Sequence, residues 1–134
     1  MTDQTTTRPT ILVVDDDPKI CGALSRLLKK DGYEVLVANS GEDALKLLAQ
    51  RAADVVLLDH TMGGISGLEL AARLKVLHPK SVRVLLTGEN SFNIAMDAIN
   101  RGGIYRYILK PWDDTELRIS VSLAVAESKR LKSV

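Results

Sequence analysis

The sequence predicts an α/β fold, a doubly wound five-stranded parallel sheet with five helices. Short, continuous apolar runs alternate with amphipathic segments five times along the 134 residues. The apolar runs are rich in β-branched residues, as is typical of strands buried on both faces. The length fits one ordinary domain with enough apolar material for a core.

The first two strand–helix units occupy the beginning of the chain. Residues 11–14 predict the first strand, and Asp17 is placed as the N-cap of a helix that ends at Gly32. Residues 33–38 predict the second strand. Ser40 then opens a second helix with apolar residues at helical spacing.

The alternation continues through the third, fourth and fifth units. Strands are predicted at residues 55–58, 82–86 and 104–109, and intervening helices at about 68–77 and 92–99. Met96 and Ile99 belong to the stripe that the fourth helix is expected to bury. Asp113 is the predicted N-cap of the fifth helix.

The fifth helix carries two apolar stripes. One stripe is expected to pack on the sheet and contains Leu117, Val121, Ala124 and Val125. The other contains Ile119, Leu123 and Ala126. The second stripe indicates either a wider buried face or a surface for a partner or a second copy of the chain.

Composition excludes several classes of protein. The formal net charge is +1, from 18 basic and 17 acidic residues, so no direct binding to nucleic acid is expected. The only cysteine, Cys21, cannot form an internal disulfide and has no thiolate cluster around it for zinc. We expect it to be a buried thiol.

The two ends of the chain are predicted to lie outside the domain or at its edge. Residues 1–8 are polar and threonine-rich without the apolar core of a signal peptide, which predicts a disordered tail and a cytoplasmic protein with no membrane contact. Residues 9–127 form the predicted domain. Residues 128–134 are either the end of the last helix or a tail.

Polar residues of particular types follow the strands. Asp15 and Asp16 follow the first strand, Asp59 the third, Thr87 the fourth and Lys110 the fifth. The carboxyl ends of parallel strands meet at one edge of the sheet, where ligands of open α/β sheets bind. Each residue alone is commonly a helix cap or a solvated loop residue, but all five together predict a site.

These residue types suit phosphoryl transfer. Three carboxylates in one cleft repel each other, and a hard divalent cation such as Mg²⁺ relieves that repulsion. A lysine and a hydroxyl add donors for phosphoryl oxygens. A carboxylate nucleophile would form an acyl phosphate.

Four motifs give the chain a family resemblance. They are Val13–Pro18, Leu57–Asp59 with Gly67 eight residues later, Leu85–Gly88 and Tyr107–Pro111. In these motifs the chain resembles the receiver domains of two-component response regulators, the CheY-like superfamily. The resemblance covers nearly the whole chain and implies a flavodoxin-like fold with strand order 2-1-3-4-5.

The resemblance also implies a metal site and a phosphoacceptor. Asp59 would accept the phosphoryl group from a histidine kinase, a phosphotransfer protein or a small phosphodonor. Asp16 and Asp59 would bind Mg²⁺ directly, and Asp15 (through water) and the backbone carbonyl of Thr61 would complete the site. The family usually has proline where Gly63 stands, so this loop is expected to be less rigid.

Further roles concern the response to phosphorylation. By resemblance, Lys110 would pair with the phosphoryl group, and Thr87 and Tyr107 would be the switch pair. Thr61 and Glu89 lie at the rim of the cleft, where side chains can tune the lifetime of the acyl phosphate by controlling water. The output surface is expected to be the fourth helix, fifth strand and fifth helix, with homodimerisation as its simplest use.

Three other functions are weighed against this one. A receiver-like scaffold that is never phosphorylated remains open, although the complete set of site residues argues against it. An aspartyl-phosphate phosphatase of the haloacid-dehalogenase type is disfavoured because Lys19 stands where that family has threonine or valine. A nucleotide-binding domain lacks its glycine-rich loop after a strand. The chain is therefore expected to catalyse only its own phosphorylation and dephosphorylation.

The cognate kinase and the output are left open by the sequence. The stretches Gly103–Tyr107 and Lys110–Trp112 look similar to those of receivers that precede transcription-activator or cyclic-dinucleotide phosphodiesterase domains.

Overall fold

The computed structural model describes residues 8–88, 96–97, 99–101 and 103–134. Five strands alternate with helices in these ranges, and residues 96–97 and 99–101 are helical. The strands are β1 (Thr10–Val14), β2 (Glu34–Ala38), β3 (Val55–Asp59), β4 (Val82–Thr87) and β5 (Ile104–Leu109). The helices are α1 (Pro18–Lys30), α2 (Gly41–Gln50), α3 (Gly67–Leu77) and the C-terminal helix (Asp114–Lys132). The predicted elements are therefore confirmed to within one or two residues wherever the structure describes them.

All five strands form one parallel sheet in the order β2-β1-β3-β4-β5. This confirms the predicted doubly wound architecture. The strand order reverses between β1 and β3, where the loops that leave the two strands lead to opposite faces of the sheet. The reversal opens a crevice at the carboxyl ends of these strands.

Two apolar clusters lie on the two faces of the sheet because successive strand residues point in opposite directions. In β1, Ile11 and Val13 join the cluster under α1 and the C-terminal helix, whereas Leu12 and Val14 join the cluster under α2 and α3. Every residue of β1, β3 and β4 is buried. The continuous apolar runs are thus explained by burial on both faces. No helix in the described part of the chain has the length and apolar character needed to span a bilayer.

Side-chain caps fix where the helices begin. Asp17, Ser40 and Asp113 accept backbone N–H bonds from the following turn at 2.9, 3.0 and 2.9 Å. Gly32 follows the end of α1 with a φ of +88°, a left-handed conformation that favours glycine. These four sequence predictions of helix ends are confirmed.

The C-terminal helix buries only one of its two apolar stripes. Leu117, Val121, Ala124 and Val125 are buried against the sheet, as predicted. Ile119 and Leu123 are 54% and 42% exposed, and Ala126 is exposed as well. The interpretation as a wider buried face is therefore wrong, because the helix contacts the sheet along one side only.

The prediction that Met96 and Ile99 are buried is also wrong, since both side chains are exposed. Helical spacing marks them as one stripe but does not show that another element covers it. The rest of that predicted stripe, including Phe92, lies outside the described residues.

The last residues belong to the helix. It extends to Lys132, Leu131 packs against the core, and Lys132 forms an ion pair with Asp54. Asp54 also accepts the backbone N–H of Thr10 at 2.7 Å. Of the two possibilities for residues 128–134, the helical one therefore holds as far as Lys132.

Gly67 allows α3 to begin directly against the end of β3. A Cβ atom built on Gly67 would lie 2.1 Å from the backbone oxygen of Asp59 and 3.0 Å from the Cα of His60. The Gly67 N–H also donates to the His60 carbonyl at 3.2 Å. This contact with backbone atoms leaves no room for a side chain.

We expect Gly67→Ala to lower the free energy of unfolding by about 2–4 kcal/mol, because the backbone at Asp59 must shift to relieve the overlap. Gly63→Ala is the matched control, since a Cβ there meets nothing within 4 Å. That variant should differ from the wild type by less than about 1 kcal/mol. Urea unfolding measures both values, and equal stability of the two variants would contradict the packing described here.

Candidate functional site

Five of the predicted site residues lie at the carboxyl end of the sheet. Asp15, Asp59 and Thr87 are 1%, 4% and 2% exposed, Asp16 is exposed and Lys110 is half-buried. One carboxylate oxygen from each of the three aspartates lies within 4.8 Å of the others. The structure therefore brings together the acidic residues that the sequence placed at two separate strand ends.

Asp15 sits deepest in the cleft. Its Oδ1 accepts the backbone N–H of Asp17 at 2.9 Å, and its carbonyl accepts the Cys21 thiol at 3.2 Å. Its Oδ2 is buried and has no hydrogen-bond partner among the described residues. Burial raises the pKa of Asp15, and the charges of Asp59 and Asp16 add to this, whereas the Asp17 amide and the Lys110 cation oppose it.

Lys110 supplies the positive charge within the cleft. Its Nζ lies 2.7 Å from Oδ1 of Asp59 and 3.8 Å from Oδ2 of Asp15. Its backbone N–H donates to the Thr87 carbonyl at 2.8 Å, which ties the end of β5 to the end of β4. The Lys110–Pro111 peptide bond is cis. One lysine thus stands among three carboxylates.

The loop after β3 closes one side of the cleft. The Gly63 N–H donates to Oδ2 of Asp16 at 3.3 Å. Thr61 is exposed, and its hydroxyl lies 3.3 Å from Nδ1 of the neighbouring His60. The loop thus contacts the cleft through Gly63, whereas the Thr61 hydroxyl contacts the neighbouring His60.

The residues present fit a hard divalent cation. All the side-chain donors are carboxylate oxygens, which Mg²⁺ prefers. The unpartnered oxygen of Asp15 is a buried polar atom that a cation or its water could satisfy. Mg²⁺ also keeps several waters, in accord with the exposure of Asp16.

The predicted switch residue Tyr107 is not brought into the cleft. The Tyr107 side chain is 45% exposed on β5, and its backbone is in register with Leu85 rather than Thr87. Glu89 lies outside the described residues.

Sequence reasoning missed Glu42, whose carboxylate contacts the loop after β3. Nothing in the sequence pairs Glu42 with that loop, because the contact depends on how α2 packs beside it.

Fold and site define the class of protein: a doubly wound domain with an acidic, lysine-containing pocket at its switch point. The sequence profile described as "Response regulator receiver domain" matches residues 11–122. The chain belongs to this family, whose members are phosphoacceptor signalling modules of two-component systems.

Relatives with known names agree with this assignment. The hydrogenase transcriptional regulatory protein HoxA of Bradyrhizobium diazoefficiens is 38% identical over 116 residues, 87% of this chain and 24% of that protein. The transcriptional regulatory protein ZraR of Klebsiella oxytoca is 34% identical over 123 residues, 92% of this chain and 28% of that protein. The chain thus spans about a quarter of the length of these relatives.

A solved structure is similar over nearly the whole chain. The signal receiver domain of an HD domain-containing protein from Pseudomonas fluorescens Pf-5 has 36% identity and a TM-score of 0.92, and the match covers 98% of this chain and 97% of that one. Two of the similar proteins are thus named as transcriptional regulators and one contains an HD domain.

We expect Asp15→Asn to raise the free energy of unfolding of the metal-free protein at pH 7, because burial disfavours the ionised carboxylate and not the neutral amide. The pKa of Asp15 is raised in the folded state. The wild type therefore loses stability as the pH rises through that raised pKa, and the variant does not. The gain should vanish below the ordinary carboxyl value of 3.8, where Asp15 is protonated in both states. Urea unfolding between pH 3 and pH 7 measures it, and a variant less stable than wild type at pH 7 would contradict this account.

Proposed function

We propose that the chain accepts a phosphoryl group on Asp59 in a Mg²⁺-dependent reaction and changes its surface in response. The donor is a histidine kinase, a phosphotransfer protein or a small phosphodonor. The observation that supports this most is the buried Asp59 carboxylate with Lys110 Nζ at 2.7 Å, beside two further carboxylates. These groups provide a nucleophile, a cation and a metal-binding set.

Asp16 and Asp59 would hold the metal directly, with the Thr61 carbonyl and, through water, Asp15. When bound, Mg²⁺ neutralises charge on the transferring phosphoryl group. An Asp59 carboxylate oxygen attacks phosphorus, and the bond from phosphorus to the donor atom breaks with its electron pair leaving on the donor. Lys110 stays beside the product and pairs with a phosphoryl oxygen.

Formation of the acyl phosphate would change the positions of the Thr87 and Tyr107 side chains. Thr87 is buried at the end of β4, and the Tyr107 ring is largely exposed. When the Thr87 hydroxyl moves toward the phosphoryl group, it vacates space into which the Tyr107 ring turns. Phosphorylation thus favours one of two conformations, to the extent that it stabilises that one more. Thr61 and Glu89 would set how fast water removes the phosphoryl group.

The chain would act on no other substrate, and catalysis would be limited to its own phosphorylation and dephosphorylation. We place it in the cytoplasm, in direct contact with neither nucleic acid nor membrane, which accords with the nearly balanced charge. Its first partner would be a kinase or phosphotransfer protein. The output of the whole protein could be transcriptional, as the names of HoxA and ZraR suggest by analogy.

The proposed output surface consists of helical residues 96–97 and 99–101, β5 and the exposed stripe of the C-terminal helix. Tyr105, Tyr107 and Leu109 of β5 are at least 40% exposed, as are Ile119 and Leu123 on the C-terminal helix. Arg118 and Glu127 border this apolar surface with opposite charges. Both charges are already paired within the chain, Arg118 with Asp31 at 2.7 Å and Glu127 with Arg130 at 2.8 Å. Such a surface suits association of two copies because exposed apolar side chains are bordered by polar ones, as in many protein interfaces.

Phosphorylation of Asp59 is testable by intact-protein mass spectrometry with acetyl phosphate. The wild type should gain one phosphoryl group only when Mg²⁺ is present, and Asp59→Asn should gain none. Asp43→Asn, an exposed aspartate on α2, is the control and should behave as wild type. Labelling of the Asp59→Asn variant would refute the assignment, and absence of labelling in the wild type would favour an unphosphorylated scaffold.

Dimerisation is testable by sedimentation equilibrium with Mg²⁺ and beryllofluoride as the phosphoryl mimic. The mimic should double the mass of the wild type, and Leu123→Glu should remain a monomer because it places a charge in the apolar surface. Val76→Glu changes an exposed residue on α3 and should dimerise as the wild type does. An unchanged wild-type mass would rule out this use of the surface.

A further inference from the structure

We infer that Glu42 is a positioning residue, which holds the loop after β3 in place for metal binding and thereby sets the Mg²⁺ affinity of the site. This inference deepens the proposed function and rests on it. The loop, residues 60–66, connects Asp59 to α3 and contains Thr61, whose carbonyl is the proposed metal ligand. Glu42 stands in the first turn of α2, outside the acidic cleft.

Two carboxylates bind the backbone of this loop. Oδ2 of Asp16 accepts the Gly63 N–H at 3.3 Å from the cleft side. On the other side of the loop, Oε2 of Glu42 in α2 accepts the Ile65 N–H at a distance of 3.4 Å. The loop is therefore held at two points only two residues apart.

The packing around Glu42 is close. A Cβ atom built on Gly64 would lie 2.9 Å from Oε2 and 3.1 Å from Oε1 of Glu42. Gly64 has a φ of +74°, so both its backbone conformation and its missing side chain suit this approach. A Cβ built on Gly41 would lie 3.0 Å from the Cβ of Ile65. Because Gly41 and Gly64 have no side chains, the beginning of α2 and the loop pack closely around the side chains of Glu42 and Ile65.

Metal binding changes the balance between the two contacts. A carboxylate that coordinates a cation is a poorer hydrogen-bond acceptor, so metal binding by Asp16 would weaken its bond to the Gly63 N–H. Gly63 and Gly64 give the loop considerable backbone freedom, which must be restricted when the Thr61 carbonyl binds. The contact from Glu42 does not compete with the metal and can restrict that freedom in advance.

Three variants distinguish the effect of the hydrogen bond between Glu42 and Ile65 from the effect of negative charge at the start of α2. Glu42→Asp keeps the negative charge at the start of α2 but is one methylene too short to reach Ile65. Glu42→Gln removes the charge and keeps an oxygen at the same reach. Asp43→Asn removes a charge from the same turn without touching the loop. Hydrogen exchange at the Ile65 amide in the metal-free protein reports the contact, and the rise in thermal midpoint with Mg²⁺ concentration gives the dissociation constant.

Glu42→Asp should speed Ile65 exchange and weaken Mg²⁺ binding, each by about threefold to tenfold, with little change in metal-free stability. Glu42→Gln should retain most of the affinity, and Asp43→Asn should match the wild type. Unchanged exchange and affinity in Glu42→Asp would overturn the inference. So would equal weakening in Glu42→Gln and Asp43→Asn, which would indicate a long-range effect of charge. A wild type that binds no Mg²⁺ would instead refute the proposed function, and with it the role of Glu42 in metal affinity.

Discussion

The repulsion among three converging carboxylates is the constraint on which the site depends. Asp15 and Asp59 are buried, and Lys110 offers one positive charge at 2.7 Å from Asp59 and 3.8 Å from Asp15. Burial raises the pKa of Asp15, so keeping it ionised at neutral pH costs folding free energy. The three aspartates could hold a metal ion, and a divalent cation bound there would relieve this repulsion.

The scaffold imposes this convergence through strand order and backbone contact. β1 and β3 are neighbours with helices on opposite faces, so the residues that end both strands face one crevice. Gly67 lets α3 begin against the backbone of Asp59, and the Thr87 carbonyl holds the amide of Lys110. The site is therefore built mainly on rigid strand ends, and the loop after β3 is the part whose position depends on side chains such as Glu42.

The strands, the helices and the convergence of the strand-end residues could be predicted from the sequence by local rules, whereas the strand order and the roles of the site residues were implied by the family resemblance. Buried parallel strands appear in the sequence as continuous apolar runs. The residues that follow such strands meet at the carboxyl edge of the sheet. The exposure of Ile119, Leu123, Met96 and Ile99 could not be predicted, since helical spacing shows a stripe but not what covers it. The contact between Glu42 and Ile65 joins elements 23 residues apart and depends on tertiary packing. The outward position of Tyr107 on an edge strand is likewise a tertiary result.

The central claim is that Asp15, Asp16 and Asp59 form one divalent-cation site beside Lys110. A crystal structure grown with Mn²⁺ in place of Mg²⁺ tests this most directly, because the anomalous signal locates the ion independently of the protein coordinates. The account predicts one strong anomalous peak in contact with Asp16 and Asp59, with a water between the ion and Asp15. A fully ordered cleft without a peak at saturating Mn²⁺, or a peak held by other residues, would contradict it.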